Sequence, residues 1–259
     1  MSGPVVATLL RSAGARAALR RGLPRGRVAL ASCRGEAALE RVVSTRLVDA
    51  VIVDPRLPGA AACLVRLRER FPGVPRFAYA AFRPDDAELL VRCVHDADAH
   101  PIVEGVEDLV AWDLVLPRTA SAARTAALAD APRILRLVDD LQIRAWGEVV
   151  RGLAGAMRTA GIARSLGVSR EHLSRQFGAG GAPNLKRVID LARTATAADL
   201  LANPGYSVRA VAGILGFASA SHLASAARRI AGVTAARLPA LGPRGVLAAF
   251  VRGRTRSRA

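Results

Sequence analysis

One apolar pattern occurs twice in the second half of the chain, 49 residues apart: Ile162, Ala163, Leu166 and Gly167 are repeated as Val211, Ala212, Leu215 and Gly216. In each copy the spacing places a short helix before a glycine and a second helix after it. Glycine supplies the positive φ that a tight turn between helices requires, and the small alanine lies where the two helices cross. In the first copy, TAGIARSLGVSREHLSRQF (159–177), Thr159 is placed to cap the first helix and Ser169 the second. Ile162, Leu166, Val168, Leu173 and Phe177 form its apolar wedge. The second copy, SVRAVAGILGFASASHLASAARRI (207–230), reaches Leu223 after a turn one residue longer. Between the copies, APNLKRVIDLARTATAADLLANPG (182–205) reads as one long helix ended by Asn203, Pro204 and Gly205.

The Ala-x3-Gly-x5-Leu spacing is a helix-turn-helix signal, with an ordinary helical hairpin as its bland alternative. Charge separates the two readings. Residues 131–259 hold 20 basic and 6 acidic residues, a net +14, whereas residues 1–130 hold 18 and 15, a net +3. Lys186 is the only lysine, and such arginine usage is what a GC-rich bacterial genome imposes on a whole chain. The asymmetry between halves carries more weight, since genome bias acts on both, and it points to nucleic acid. Two helix-turn-helix units joined by a long helix resemble the DNA-binding domain of the AraC/XylS family of transcription regulators over roughly residues 140–240. The family's arginine-to-paired-leucine pattern in the linking helix runs here from Arg193 to Leu201, and its Gly-Phe before the second recognition helix is Gly216-Phe217. The resemblance implies that each second helix enters a major groove, about one helical turn apart on one DNA face.

Helix geometry then nominates the DNA-reading residues. With Leu173 and Phe177 facing inward, Ser169, Arg170, Glu171, His172, Ser174 and Arg175 border or line the outer face of the first recognition helix. Arg175 is the candidate for bidentate contact to guanine, and Glu171 can accept from cytosine N4. His172 is a flanking phosphate or packing contact. The second helix offers Ser221, His222, Ser225, Arg228 and Arg229. It lacks the family's usual aromatic at Ala227 and proline at Ala235. The first unit is therefore expected to read sequence and the second to position the protein through phosphate.

The N-terminal half alternates β-type runs, 5–10, 27–33, 48–54, 75–82 and 99–103, with helical patterns, as a doubly wound α/β fold with a parallel sheet does. Sites in such folds lie at the carboxyl ends of the strands. Asp54, in VDAVIVDPRLPG, stands at one of them. Over residues 1–118 the order of elements and this stretch resemble a response-regulator receiver domain. The resemblance implies a phosphoacceptor aspartate at Asp54, a divalent metal held by it and by an acidic pair ending the first strand, a hydroxyl ending the fourth, and a lysine ending the fifth. Here the first strand runs into Arg11 and Ser12, Ala80 takes the hydroxyl's place, and the nearest match to the family's Lys-Pro is His100-Pro101. Without a second carboxylate the octahedral shell of Mg²⁺ is incomplete. The expectation is a receiver-like domain that is not phosphorylated, in which Arg11 pairs with Asp54 as a structural substitute.

The expected organisation is a receiver-like domain at 1–118, a small-residue linker at 119–134 and an AraC-type domain at 135–242. Its helix-turn-helix units span 159–178 and 207–230, a packing helix covers about 132–155, and a disordered basic tail runs over 243–259. Double-stranded DNA is the expected partner, with a second copy of the chain and RNA polymerase as further partners, and no cofactor or metal is implied. No apolar run reaches the roughly 18–20 residues that span a bilayer, and no signal peptide is read, so a bacterial cytoplasmic protein is expected. Three cysteines, Cys33, Cys63 and Cys93, have no metal-ligand spacing and suit reduced thiols. Histidines at 95, 100, 172 and 222 are scattered, and no nucleophile accompanies them, which argues against an enzyme. A phosphorylation-dependent response regulator using Asp54, or an interaction module that keeps this architecture without reading DNA, are the alternatives.

Overall fold

A computed structural model describes residues 3–23, 28–153, 157–178 and 181–256. The chain divides into two compact units, residues 2–123 and residues 124–259 apart from the turn at 203–205.

The N-terminal unit alternates β1 (Val5–Leu9), α1 (Ala13–Gly22), β2 (Ala29–Ser32), α2 (Glu36–Thr45), β3 (Ala50–Val53), α3 (Ala60–Arg70), β4 (Arg76–Ala80), α4 (Ala87–His95), β5 (Ala99–Val103) and α5 (Ala111–Val115). All strand pairs are parallel, in the order β2-β1-β3-β4-β5. Every residue of β3 and β4 is buried, as helices on both faces require. Alternate strand residues Val6, Ala50, Ile52, Phe77, Tyr79 and Ile102 pack with Leu19 of α1 and Trp112 and Val115 of α5. The intervening residues Ala7, Val51, Val53 and Ala78 are equally buried and point to the other face. The order in which successive strands are added reverses between β1 and β3, which is where a doubly wound sheet opens a crevice at its carboxyl end.

The C-terminal unit is helical. The segment expected as a linker holds α6 (Ala120–Ala127) and α7 (Ala131–Ile134), with Leu128 and Ala131 buried. Its alanines favour helix, and Leu128 with Ala131 supplies the apolar surface that packs. The single packing helix expected at 132–155 is broken. Arg136 takes φ 58, and Asp139 starts a new helix, α8 (Asp140–Arg151), through a capping box with Gln142. Val138, inside the span of that expected helix, is 78% exposed at the break; residues 154 and 155 lie outside the described residues. There follow α9 (Thr159–Ser165), α10 (Arg170–Gly178), α11 (Leu185–Leu201), α12 (Val208–Ile214), α13 (Ala220–Ala231) and α14 (Leu238–Arg256).

Helix α11 is the centre of this unit, with Leu185, Val188, Leu191, Ala195, Ala198 and Leu200 among its buried residues. It packs on α8, α12, α13 and α14. The expected disordered tail is corrected by α14, which breaks at Gly242 (φ 61) and runs on to Arg256. Val246, Leu247 and Phe250 are buried, and the Arg187 guanidinium of α11 lies over the Phe250 ring. Val246, Leu247 and Phe250 recur at one- and three-residue steps, which set one apolar stripe on a helix, a pattern hidden by the arginines around it. Residues 257–259 of that expected tail lie outside the described residues.

Candidate nucleic-acid interface and strand-end site

Asp54 follows β3, its amide donating to Leu9 O, and its side chain is 2% exposed. A buried carboxylate must be paired or neutralised, and here a neighbour two residues on supplies the partner. Asp54 Oδ1 accepts from the backbone amide of Arg56 at 3.0 Å and from its Nε at 3.1 Å, and Oδ2 accepts from Arg56 Nη2 at 3.2 Å. The same guanidinium donates through Nη1 to Ala81 O, after β4, and stands 3.5 Å from Glu104 Oε2, after β5. One arginine thus joins three strand ends. Its hydrogen bonds to Asp54, and beyond them the surrounding carboxylates, hold its pKa above the ordinary value, against the opposing effect of burial. Arg11, the partner expected from sequence, is present at 3.5 Å from Asp54 Oδ2 but is half exposed. Arg56 was missed, although its place two residues after the aspartate was signal enough.

The register of β5 corrects the placement of His100-Pro101. His100 pairs with Phe77 near the start of the strand, and the carboxyl end is Val103, followed by Glu104. A glutamate therefore follows the strand where the family's lysine would, and Arg56 occupies the space between it and Asp54. These residues do not fit a divalent cation, since a guanidinium already takes up the carboxylate's lone pairs. Among the described residues no group of three or more His, Cys, Asp or Glu side chains could hold a metal.

In the first helical pair of the C-terminal unit, α9 ends at a turn whose Gly167 has φ 69. Ser169 Oγ accepts from the His172 amide at 3.1 Å and so starts α10. Thr159 does not cap α9. It is the first helical residue, and the preceding Arg158 takes the cap position with no side-chain bond. Leu173 and Phe177 are fully buried, and Ser169, Arg170, Glu171, His172, Ser174 and Arg175 are all exposed. Gln142 of α8, itself buried, donates from Nε2 to Gln176 O at 2.7 Å and so ties α10 from behind its exposed face.

The second pair repeats the geometry. Gly216 has φ 68, Ser219 Oγ accepts from the His222 amide, and Leu223, Ala226, Ala227 and Ile230 are buried. Ser221, His222, Ser225, Arg228 and Arg229 are exposed. Two of these have other work. Arg229 Nη2 bonds Asp190 Oδ2 of α11 at 2.8 Å, and His222 accepts the Ala218 amide at Nδ1 while meeting the Phe217 ring edge-on at 5.5 Å. With Nδ1 accepting, a neutral imidazole carries its proton on Nε2.

Residues 162–238 match a family model described as a helix-turn-helix domain, which takes in both turns, both recognition helices and α11. No curated protein matches the sequence. Among solved structures, the chain is similar to a signal receiver domain of an HD domain-containing protein from Pseudomonas fluorescens Pf-5. The identity is 19%, the match covers 44% of this chain and 94% of that one, and the TM-score is 0.40. The helix-turn-helix match and the repeated geometry define a DNA-binding transcription regulator. More particularly, it carries that helix-turn-helix domain at residues 162–238 beside an N-terminal unit built as a five-stranded parallel sheet with flanking helices. No helix among the described residues is long and apolar enough to cross a membrane.

Proposed function

We propose that the chain regulates transcription by reading a specific duplex sequence with α10 and gripping the neighbouring backbone with α13. Support comes chiefly from the outer face of α10, where Arg170, Glu171, Ser174 and Arg175 project together from a helix fixed behind by Leu173, Phe177 and Gln142. A rigid helix with two guanidiniums and a carboxylate outward suits major-groove readout. Arg175 contacts guanine, Glu171 accepts from cytosine, and Ser169, Arg170, His172 and Ser174 complete the contact. On α13, Ser221, Ser225, Arg228 and the Nε2 of His222 meet phosphate, whereas Arg229 serves α11.

The receiver-like unit acts through contact with a second copy of the chain rather than through phosphorylation of Asp54. The buried, arginine-bonded carboxylate supports the second half of that reading. Exposed Val91 and Val94 on α4, with Val106, Leu109 and Val110 in the loop after β5, support the first. Pro101 lacks the N–H that an edge strand needs for pairing, so contact would run through these side chains instead. RNA polymerase is the further partner such a regulator would touch. Titrating the protein against its own upstream DNA, with Arg175→Ala as control, tests the reading: specific affinity should fall by about 1–3 kcal/mol while nonspecific affinity holds. Sequence-blind binding insensitive to Arg175 would defeat it. Acetyl phosphate with Mg²⁺ should leave Asp54 unmodified by mass spectrometry, and a phosphorylated Asp54 would overturn the non-phosphorylated reading.

A further inference from the structure

Helices α9 and α10 pack chiefly against α8, whereas α12 and α13 pack directly on α11. The two helical pairs are therefore held by different supports, and apolar packing alone leaves their mutual rotation weakly specified, because it has no direction. One side chain bridges the supports. Arg193, in the middle of α11, donates from Nη2 to Met157 O at 3.0 Å, two residues before α9 begins. The same guanidinium lies over the ring of Phe217, 5.9 Å from its centroid, in the turn of the second pair. Phe217 in turn meets His222, in the first turn of α13. One turn earlier on the same face of α11, Asp190 holds Arg229 near the end of α13.

We infer that Arg193 is the residue that sets the spacing and rotation between the two recognition helices, and with it the half-site separation the protein accepts. It is a positioning residue that touches no base. Burial pushes its pKa down from the ordinary value, with the Asp190 carboxylate opposing, yet a guanidinium remains charged and so keeps both its donor and its ring contact. A planar, directional group can hold two partners at fixed angles where a flexible ammonium cannot. The Asp190–Arg229 pair holds the far end of α13 and stops it pivoting about Phe217.

This rests on α10 reading sequence and on α13 gripping the same DNA face with a weaker preference of its own, so its test begins with duplexes selected from a random library by the full-length wild-type protein. Half-sites from that selection are then separated by inserts of one, two and five base pairs, each rotating one site relative to the other. Wild type should lose on the order of tenfold or more at the first insert, because the second contact is no longer intramolecular at the right geometry. Arg193→Met keeps the buried stem and removes the donor and the charge. It should bind the original spacing roughly tenfold more weakly, with the insert penalty shrinking to about twofold and single half-site affinity unchanged. Arg193→Lys should restore part of the penalty. An Arg193→Met protein with the full wild-type penalty overturns the inference and leaves DNA reading intact; a wild type that selects no sequence overturns both. Should Arg193→Met lose its cooperative unfolding transition, Phe217→Leu carries the same test: relaxed spacing supports the assignment and unchanged spacing refutes it.

Discussion

Replacing Arg56 by methionine removes the cation that satisfies Asp54 while keeping an apolar stem of similar length. Asp54 is 2% exposed and would lose its Nε and Nη2 donors, retaining the backbone amide of residue 56 and Arg11 at 3.5 Å. Breaking a buried ion pair from one side costs about 3–5 kcal/mol. Two features lower that figure here. Arg56 is itself 16% exposed, so water can enter behind it, and Arg11 is 53% exposed and free to approach. The expected loss is about 2–3 kcal/mol, concentrated in the N-terminal unit. Asp54→Asn in the same chain removes the stranded charge and should recover most of it, a coupling on the order of 2 kcal/mol. The chain's two tryptophans make this measurable, since Trp112 lies in the N-terminal unit and Trp146 in the C-terminal one. In a Trp146→Phe background, urea unfolding followed by Trp112 fluorescence reports the N-terminal unit alone. An Arg56→Met midpoint equal to the parent's would refute the reasoning, because Asp54 would then be satisfied without Arg56.

Two further outcomes follow. Burial, and beyond it the Glu40 carboxylate, push the Cys63 thiol from its ordinary 9.0 to about 11. The folded chain holds the proton more tightly than the unfolded one, so stability is full below pH 9 and falls as pH rises toward about 11. Cys63→Ala should flatten that alkaline slope in urea midpoints, leaving the part due to Tyr79, Cys33 and Cys93, whose pKa values are also raised by burial; an unchanged slope contradicts the assignment. At α13, Arg229→Ala should cost about 1 kcal/mol by leaving Asp190 without its hydrogen-bonded cation, and should leave the salt slope of DNA binding unchanged. Arg228→Ala should leave stability within about 0.5 kcal/mol, weaken binding to all sequences alike and lower the salt slope by about one; melting curves and titrations at several salt concentrations separate the two.

What the sequence revealed was local. Period-two and period-three-to-four patterns located all five strands and both helical pairs, since a buried face leaves its period in the chain wherever the residues that make it are close together. Leu173 and Phe177 lie four apart, so the outer face of α10 is legible in the sequence alone. Arg229 was read as outward-facing for the same reason, and it is; its partner Asp190 is 39 residues away and no local pattern announces it. His100-Pro101 was placed by analogy with a dipeptide, but only strand pairing shows that it begins β5 rather than ends it. Arg56 was passed over because an arginine in a turn ordinarily points to water. It is drawn inward because burying Asp54 without a cation would cost more than ordering the arginine. In α14 the arginines masked the apolar stripe of Val246, Leu247 and Phe250, and Thr159 lost its cap to a helix that starts one residue earlier than its own position allows.

Mapping the DNA sites that the protein occupies in its own cell tests the central claim most directly. Sequence reading by α10, with α13 gripping the same DNA face, predicts discrete sites carrying one well-specified half-site. A weakly specified second contact should lie about one helical turn, ~10 base pairs, away, and Arg175→Ala should erase occupancy at those sites. Occupancy spread evenly along the DNA, or sites that survive Arg175→Ala unchanged, would contradict it.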